Sequence, residues 1–207
     1  MYHFSIPMAL VDYIPVIFFG VTMVLLQKDL YHKMNKGIYA LFAAGTINVF
    51  MAGFLKATWK LLYAANVCDF TALEQMFLPV NSIGLLMVGL SMIGMLCMKQ
   101  KNTVTLSVAP VVFGGGMVFI MMMVIGLGGM CAALSVLAAK MKKKATIALF
   151  VLSFVAAMGM GYMSSKDSTL AWVNWAEQSI NCISQLCLML GVIGLHKAGL
   201  AEYDPHH

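Results

Sequence analysis

The chain has 207 residues, 61% hydrophobic and 10% charged, with a mean hydropathy of +0.88. A soluble domain of that composition could not cover itself with polar surface, and the ten-residue alternating runs of a membrane barrel are missing, so a polytopic helical membrane protein is expected. The net charge of +5 comes from 13 Lys and no Arg; without bidentate guanidinium clamps, nucleotide and nucleic-acid handling are unfavourable readings.

The first apolar run covers residues 6–27 and follows "MYHFSIPMAL", which has no basic segment and no small-residue cleavage site. It reads as a retained first helix. Asp12 lies about two turns inside it, where a lone charge is costly, and an ion pair with Lys56 or Lys60 of the second span, 37–61, is expected. Lys60, Trp172 and Trp175 otherwise fit an interfacial belt. The third span covers 73–98, with Glu74 at its start; Pro15 in the first span and Pro79 in the third predict kinks.

The long apolar stretch Thr103 to Ala139 decides the topology. Read as one helix, it puts "KMKKK" (Lys140 to Lys144) opposite the other lysine-rich loops. Read as two, it gathers Lys28, Lys33, Lys36, Lys99, Lys101, Lys140, Lys142, Lys143, Lys144 and Lys197 on one face. The positive-inside rule selects two helices, with the turn at "GGG" (Gly114 to Gly116) or "GLGG" (Gly126 to Gly129). With spans at 146–163 and 169–195, the expectation is an all-α integral membrane protein of seven transmembrane helices, amino terminus outside and carboxyl terminus inside. Asp69, Glu74, Asp167 and Glu177 then fall on the outer side.

Two short matches point to a 3+1+3 parallel repeat. "KGIYALF" from Lys36 aligns with "KATIALF" from Lys144, bringing Gly53 and Phe54 onto Gly161 and Tyr162; "ALEQ" aligns with "WAEQ" when Glu74 is set over Glu177. The half-repeats are 1–98 and 121–197, joined by a linker helix near 103–120, all within one transmembrane domain. This plan resembles in architecture the SWEET-type sugar transporters, whose site lies between the halves near the midplane. The resemblance stops there, because the spacing of Trp59, Tyr63 and "NSIG" (Asn81 to Gly84) departs from that group. The last span has no central lysine for a retinal Schiff base.

Polar side chains in lipid need a partner or a water-filled cavity. Counted inward by helical rise, Asn48, Asn81, Ser82, Asn181, Ser184 and Gln185 share a depth and form an expected amide-rich site for a small polar solute. Asp12, Lys56, Glu74 and Glu177 form an expected outer gate or ion-pair cluster. Each amide and hydroxyl of the first set also has a plain reading as a helix-to-helix tie, and the charged set has one as part of an interfacial belt.

No catalytic residue, metal site or cofactor is assigned. The five histidines fall at termini or in loops, with His196 in the tail; HExxH, GxSxG and CxxC are absent, and the 20 Met read as core filling. The favoured function is a transporter or facilitator of a small polar solute. Next comes a seven-helix sensor or accessory subunit acting through a separate partner, and last an integral-membrane enzyme. The expected partners are the bilayer, the solute and a second copy or another membrane protein, with no nucleic acid, in a bacterial plasma membrane.

Overall fold

The structure is a computed structural model that describes residues 5–97, 116–164 and 171–203. Among these the chain is all-helical, in eight helices: α1 (Ile6–Val11), α2 (Tyr13–Leu30), α3 (Lys36–Ala64), α4 (Thr71–Gln75), α5 (Phe77–Cys97), α6 (Gly116–Lys140), α7 (Lys144–Ser164) and α8 (Ala171–Lys197). They form six segments long and apolar enough to cross a membrane, with α1 and α2 sharing one and α4 and α5 another. The architecture is that of a multi-pass membrane protein.

Local chemistry sets the boundaries. Ser5 caps α1 and Asn35 caps α3, each side chain accepting a backbone N–H three residues on. Pro15 cannot donate to the carbonyl of Val11, and the first span breaks at Asp12; Pro79 cannot donate to Gln75, and the third breaks at Met76. The lysine run "KMKKK" is compressed into a three-residue turn. Lys142 takes φ +59 there, and the N–H groups of Lys143 and Lys142 donate to Ala138 and Ala139. The same cap closes α3 with Asn66 at φ +54 and α8 with Gly199 at φ +85.

Each of the six long helices packs mainly on two neighbours, and the order α2, α3, α5, α6, α7, α8 closes into a ring through α8 and α2. Side-chain contacts fix the directions. Asp12 meets Lys60 and Gln27 meets Thr46, so α2 and α3 are antiparallel. Ile38 meets Gly94 and Gly45 meets Gly84, making α3 and α5 antiparallel as well. Asn81 meets Met123, Gly89 meets Gly126 and Ile93 meets Gly129, so α5 and α6 run in the same direction. Thr146 meets Gly194 and Ser153 meets Ser184, which makes α7 and α8 antiparallel.

These directions bring Lys28, Lys33, Lys36, Lys140, Lys142, Lys143, Lys144 and Lys197 to one end of the bundle and Asp12, Lys56, Lys60 and Glu177 to the other. The lysine-rich half is solidly packed: Leu26, Leu30, Phe42, Met92, Leu134, Leu137, Phe150, Val192 and Leu195 have no exposed surface.

Three expectations are corrected. "GLGG" is not a turn: α6 runs straight through it, and its glycines admit α5 to backbone contact, since a Cβ on Gly126 would run into the Leu85 and Leu86 main chain. His196 is not in a loose tail but in the last turn of α8, with Nδ1 2.9 Å from both oxygens of Asp29, a buried α2 carboxylate. Lys60 is not a snorkelling belt residue but is buried. The linker helix near 103–120 lies outside the described residues up to 115, and residues 116–120 belong to α6. Lys99, Lys101, Pro110, Gly114, Lys166, Asp167 and the "DPHH" end also lie outside the described residues.

Candidate functional site

All six long helices line one cavity of about 650 Å³ in the half of the bundle opposite the lysine-rich end. Its size is within the range of small-molecule sites. The lining follows single helical faces. Asp12, Pro15, Val16 and Phe19 on the α2 span have the same spacing as Ile120, Met123, Val124 and Leu127 on α6. Val49, Phe50 and Gly53 on α3 match Ala157, Met158 and Gly161 on α7 in the same way. Phe77, Leu78, Asn81 and Leu85 on α5 match Glu177, Gln178, Asn181 and Gln185 on α8.

The chemistry is one-sided. α5, α6 and α7 contribute Phe77, Leu78, Leu85, Ile120, Leu127 and Met158, an apolar wall interrupted by Asn81. The α2, α3 and α8 side holds Asp12, Lys56, Lys60, Glu177 and the three α8 amides, with Glu74 of α4 nearby. Asp12 Oδ2 lies 2.7 Å from Lys60 Nζ, and the two side chains are only 6% and 7% exposed. A pair taken so far out of water holds together because breaking it leaves a buried charge, so it fixes α2 against α3 at the helix break.

Lys56, one turn from Lys60, has its Nζ 4.1 Å from the centroid of the Phe77 ring and no carboxylate within ion-pair distance among the described residues. Three buried acceptors on this wall, Asp12 Oδ1, Gln178 Oε1 and Gln185 Oε1, have no hydrogen-bond partner among the described residues. Unpaired acceptors are expensive in a low-dielectric interior, and their clustering around a cavity marks where polar matter can be received. Next to the cavity, the Tyr13 hydroxyl and Thr58 Oγ1 are 2.9 Å apart, and buried Trp59 donates through Nε1 to Asp69. Among the described residues no group of three or more His, Cys, Asp or Glu is gathered as for a metal.

Of the six residues expected in the amide layer, Asn81, Asn181 and Gln185 line the cavity. The other three are not in its lining: two tie neighbouring helices and one bonds within its own helix. Asn48 packs against Gly84 between α3 and α5, Ser82 donates back to the Leu78 carbonyl, and Ser184 donates to the Ser153 carbonyl on α7. Asp12, Lys56, Glu74 and Glu177 all line the cavity, and of the two candidate partners for Asp12 it is Lys60 that pairs with it. Depth counting gives height but not azimuth, which is why it gathered residues from different faces. Gln178 escaped it, although Asn174, Gln178, Asn181 and Gln185 form an amide stripe at helical spacing on α8. Set beside models of protein families, curated proteins and solved structures, the chain matches none.

Proposed function

We propose that this protein is a carrier or facilitator for a small polar solute, built from seven transmembrane helices as two parallel three-helix halves. The observation that carries the reading is the cavity, formed by all six long helices, with unpaired acceptors and a lysine on one wall. Matched lining faces on α2 and α6, α3 and α7, and α5 and α8 support the parallel repeat. So do the paired contacts Gly45 with Gly84 and Ser153 with Ser184, and Ile38 with Gly94 and Thr146 with Gly194. This register sets Asn81 opposite Asn181, three residues away from the alignment of Glu74 with Glu177. The seventh crossing is supported by α5 and α6 running in the same direction: a chain that leaves α5 at the lysine-rich end and enters α6 at the other end traverses the bundle between them. By the positive-inside rule the lysine-rich end is cytoplasmic and the cavity faces outward, as befits a plasma-membrane protein.

Phe42 and Phe150, at matched places in the "ALF" repeat, belong to the packed floor beneath the cavity. In a carrier that floor opens when the halves rock. The same floor favours a second reading, a sensor whose outer pocket never communicates with the inside. The experiment is osmotic shrinkage and recovery of proteoliposomes over a panel of sugars, polyols, amides and amino acids, with empty liposomes as control. Protein-dependent recovery with one solute class is the expected result, lost in Asn181→Ala and Asn81→Ala. Folded protein that speeds recovery with no solute would replace the carrier with the sensor.

A further inference from the structure

The carrier reading leaves the solute class open, and the cavity wall narrows it. Two complementary demands lie on the same side. Asp12 Oδ1, Gln178 Oε1 and Gln185 Oε1 are acceptors without donors among the described residues. Asp12 and Gln178 are themselves more than nine-tenths buried, at 6% and 8% exposure. The Lys56 ammonium, resting on the Phe77 ring, is a cation without a carboxylate at pairing distance among the described residues. The charged groups around the cavity, Asp12, Glu74 and Glu177 against Lys56 and Lys60, nearly cancel. A sugar or polyol would answer the acceptors but leave the lysine with only hydroxyls. A simple amine would answer the acceptors and be repelled by the lysine, and a simple carboxylate would do the reverse.

We infer that the solute is a small amphiphilic zwitterion of the amino-acid kind, with its carboxylate at Lys56, its ammonium at the Asp12 and Gln178 oxygens, and an apolar side group on the wall of Leu78, Leu85 and Met123. The matching apolar wall is independent of the polar argument: α5, α6 and α7 offer little for a second hydrophilic end to bond. The unpaired oxygens are closed off from water, so binding turns their side chains toward the ligand, a rotamer change common on complex formation. This inference rests on the carrier reading for its biology, but its test does not need flux.

The purified full chain in lipid nanodiscs is titrated calorimetrically with four compounds: leucine, isopentylamine (no carboxylate), 4-methylpentanoate (no ammonium) and xylitol. Leucine is expected to bind at least tenfold more tightly than the other three. Lys56→Met, a substitution of similar length that removes no ion pair seen among the described residues, is expected to reduce leucine to the level of isopentylamine and leave isopentylamine itself unchanged or improved. Gln178→Leu is expected to weaken leucine and isopentylamine together and spare 4-methylpentanoate. Equal binding of isopentylamine and leucine, or leucine binding untouched by Lys56→Met, would overturn the inference. Preferential binding of xylitol would overturn it too, while leaving a polar-solute carrier standing. Absence of binding in protein that carries another solute in proteoliposomes defeats the zwitterion alone, and absence of both binding and flux defeats it together with the carrier.

Discussion

α5 and α8 occupy matching places in the ring, each antiparallel to the helix before it and each facing the cavity through four residues at the same spacing. On α5 these are Phe77, Leu78, Asn81 and Leu85, and on α8 they are Glu177, Gln178, Asn181 and Gln185. The backs of the two helices serve the same purpose, since Gly84 and Ser184 each lie against the preceding helix, as do Gly94 and Gly194. Only one cavity position, the asparagine, keeps its chemistry. Packing therefore gives the two helices a common frame while their cavity faces differ: α5 presents an apolar wall and α8 a row of polar groups, the reader of the proposed carrier. The difference extends to their neighbours. α5 presses its backbone onto α6 at Gly89 and Gly126, whereas α8 meets α2 through side chains such as His196 with Asp29.

The most disruptive way to break this comparison is to separate the close pair. Gly126→Leu places a side chain against the main chain of Leu85 and Leu86, which cannot rotate away. Overpacking against side chains that can shift typically costs about 1–3 kcal/mol; here the obstacle is main chain, so the native packing of α5 on α6 is lost outright and no monodisperse protein is expected in size-exclusion chromatography. Gly194→Ala on the α8 side meets only the Thr146 hydroxyl at 3.3 Å and should leave the elution profile unchanged. Next in size is the buried pair. Lys60→Met strands the buried Asp12 carboxylate, at roughly 3–5 kcal/mol, Asp12→Leu removes the carboxylate 2.7 Å from Lys60, and the double variant should recover most of the Lys60→Met loss because two apolar groups replace two charges. Thermal unfolding of the three variants in detergent measures this. Equal losses in the double variant and the singles would mean that the pair does more than satisfy itself.

Much of the frame was legible in the sequence because hydropathy and lysine placement are one-dimensional signals. Lys36 and Lys144 open α3 and α7, and the aligned Phe42 and Phe150 both end fully buried. A buried ion pair for Asp12 followed from the price of a lone charge in lipid. What depended on azimuth or register was not legible. Setting Glu74 over Glu177 rests on "ALEQ" against "WAEQ" and on Leu85 falling over Leu188, but Glu74 lies in α4, before the break at Met76, while Glu177 is well inside a continuous helix. For the proposed repeat, the lining and contact pairs favour a register three residues away, nearly one turn, which keeps the facing side and changes which residues would correspond. "GLGG" misled because glycine serves both turns and helix crossings, and composition alone does not tell a hinge from a seam.

The smaller effects test whether, beyond the asparagine that both helices present, α8 alone reads the solute. Gln185→Leu removes one unpaired acceptor from the cavity and should lower solute flux about tenfold or more, the effect of losing roughly one charge-assisted hydrogen bond. Leu85→Gln, its counterpart on α5, adds an amide to the apolar wall and should change flux by less than about threefold by that argument. If both variants lose flux equally, the division into wall and reader is wrong and the solute bonds both helices. Ser184→Ala is the mildest. Its hydroxyl donates to the Ser153 carbonyl at 2.8 Å on the side of α8 facing α7, and such interhelical bonds in membranes average about 0.6 kcal/mol. A small drop in unfolding temperature with unaltered flux is expected, because a tie on the packing face bears on the frame that α5 and α8 share and not on the chemistry that separates them.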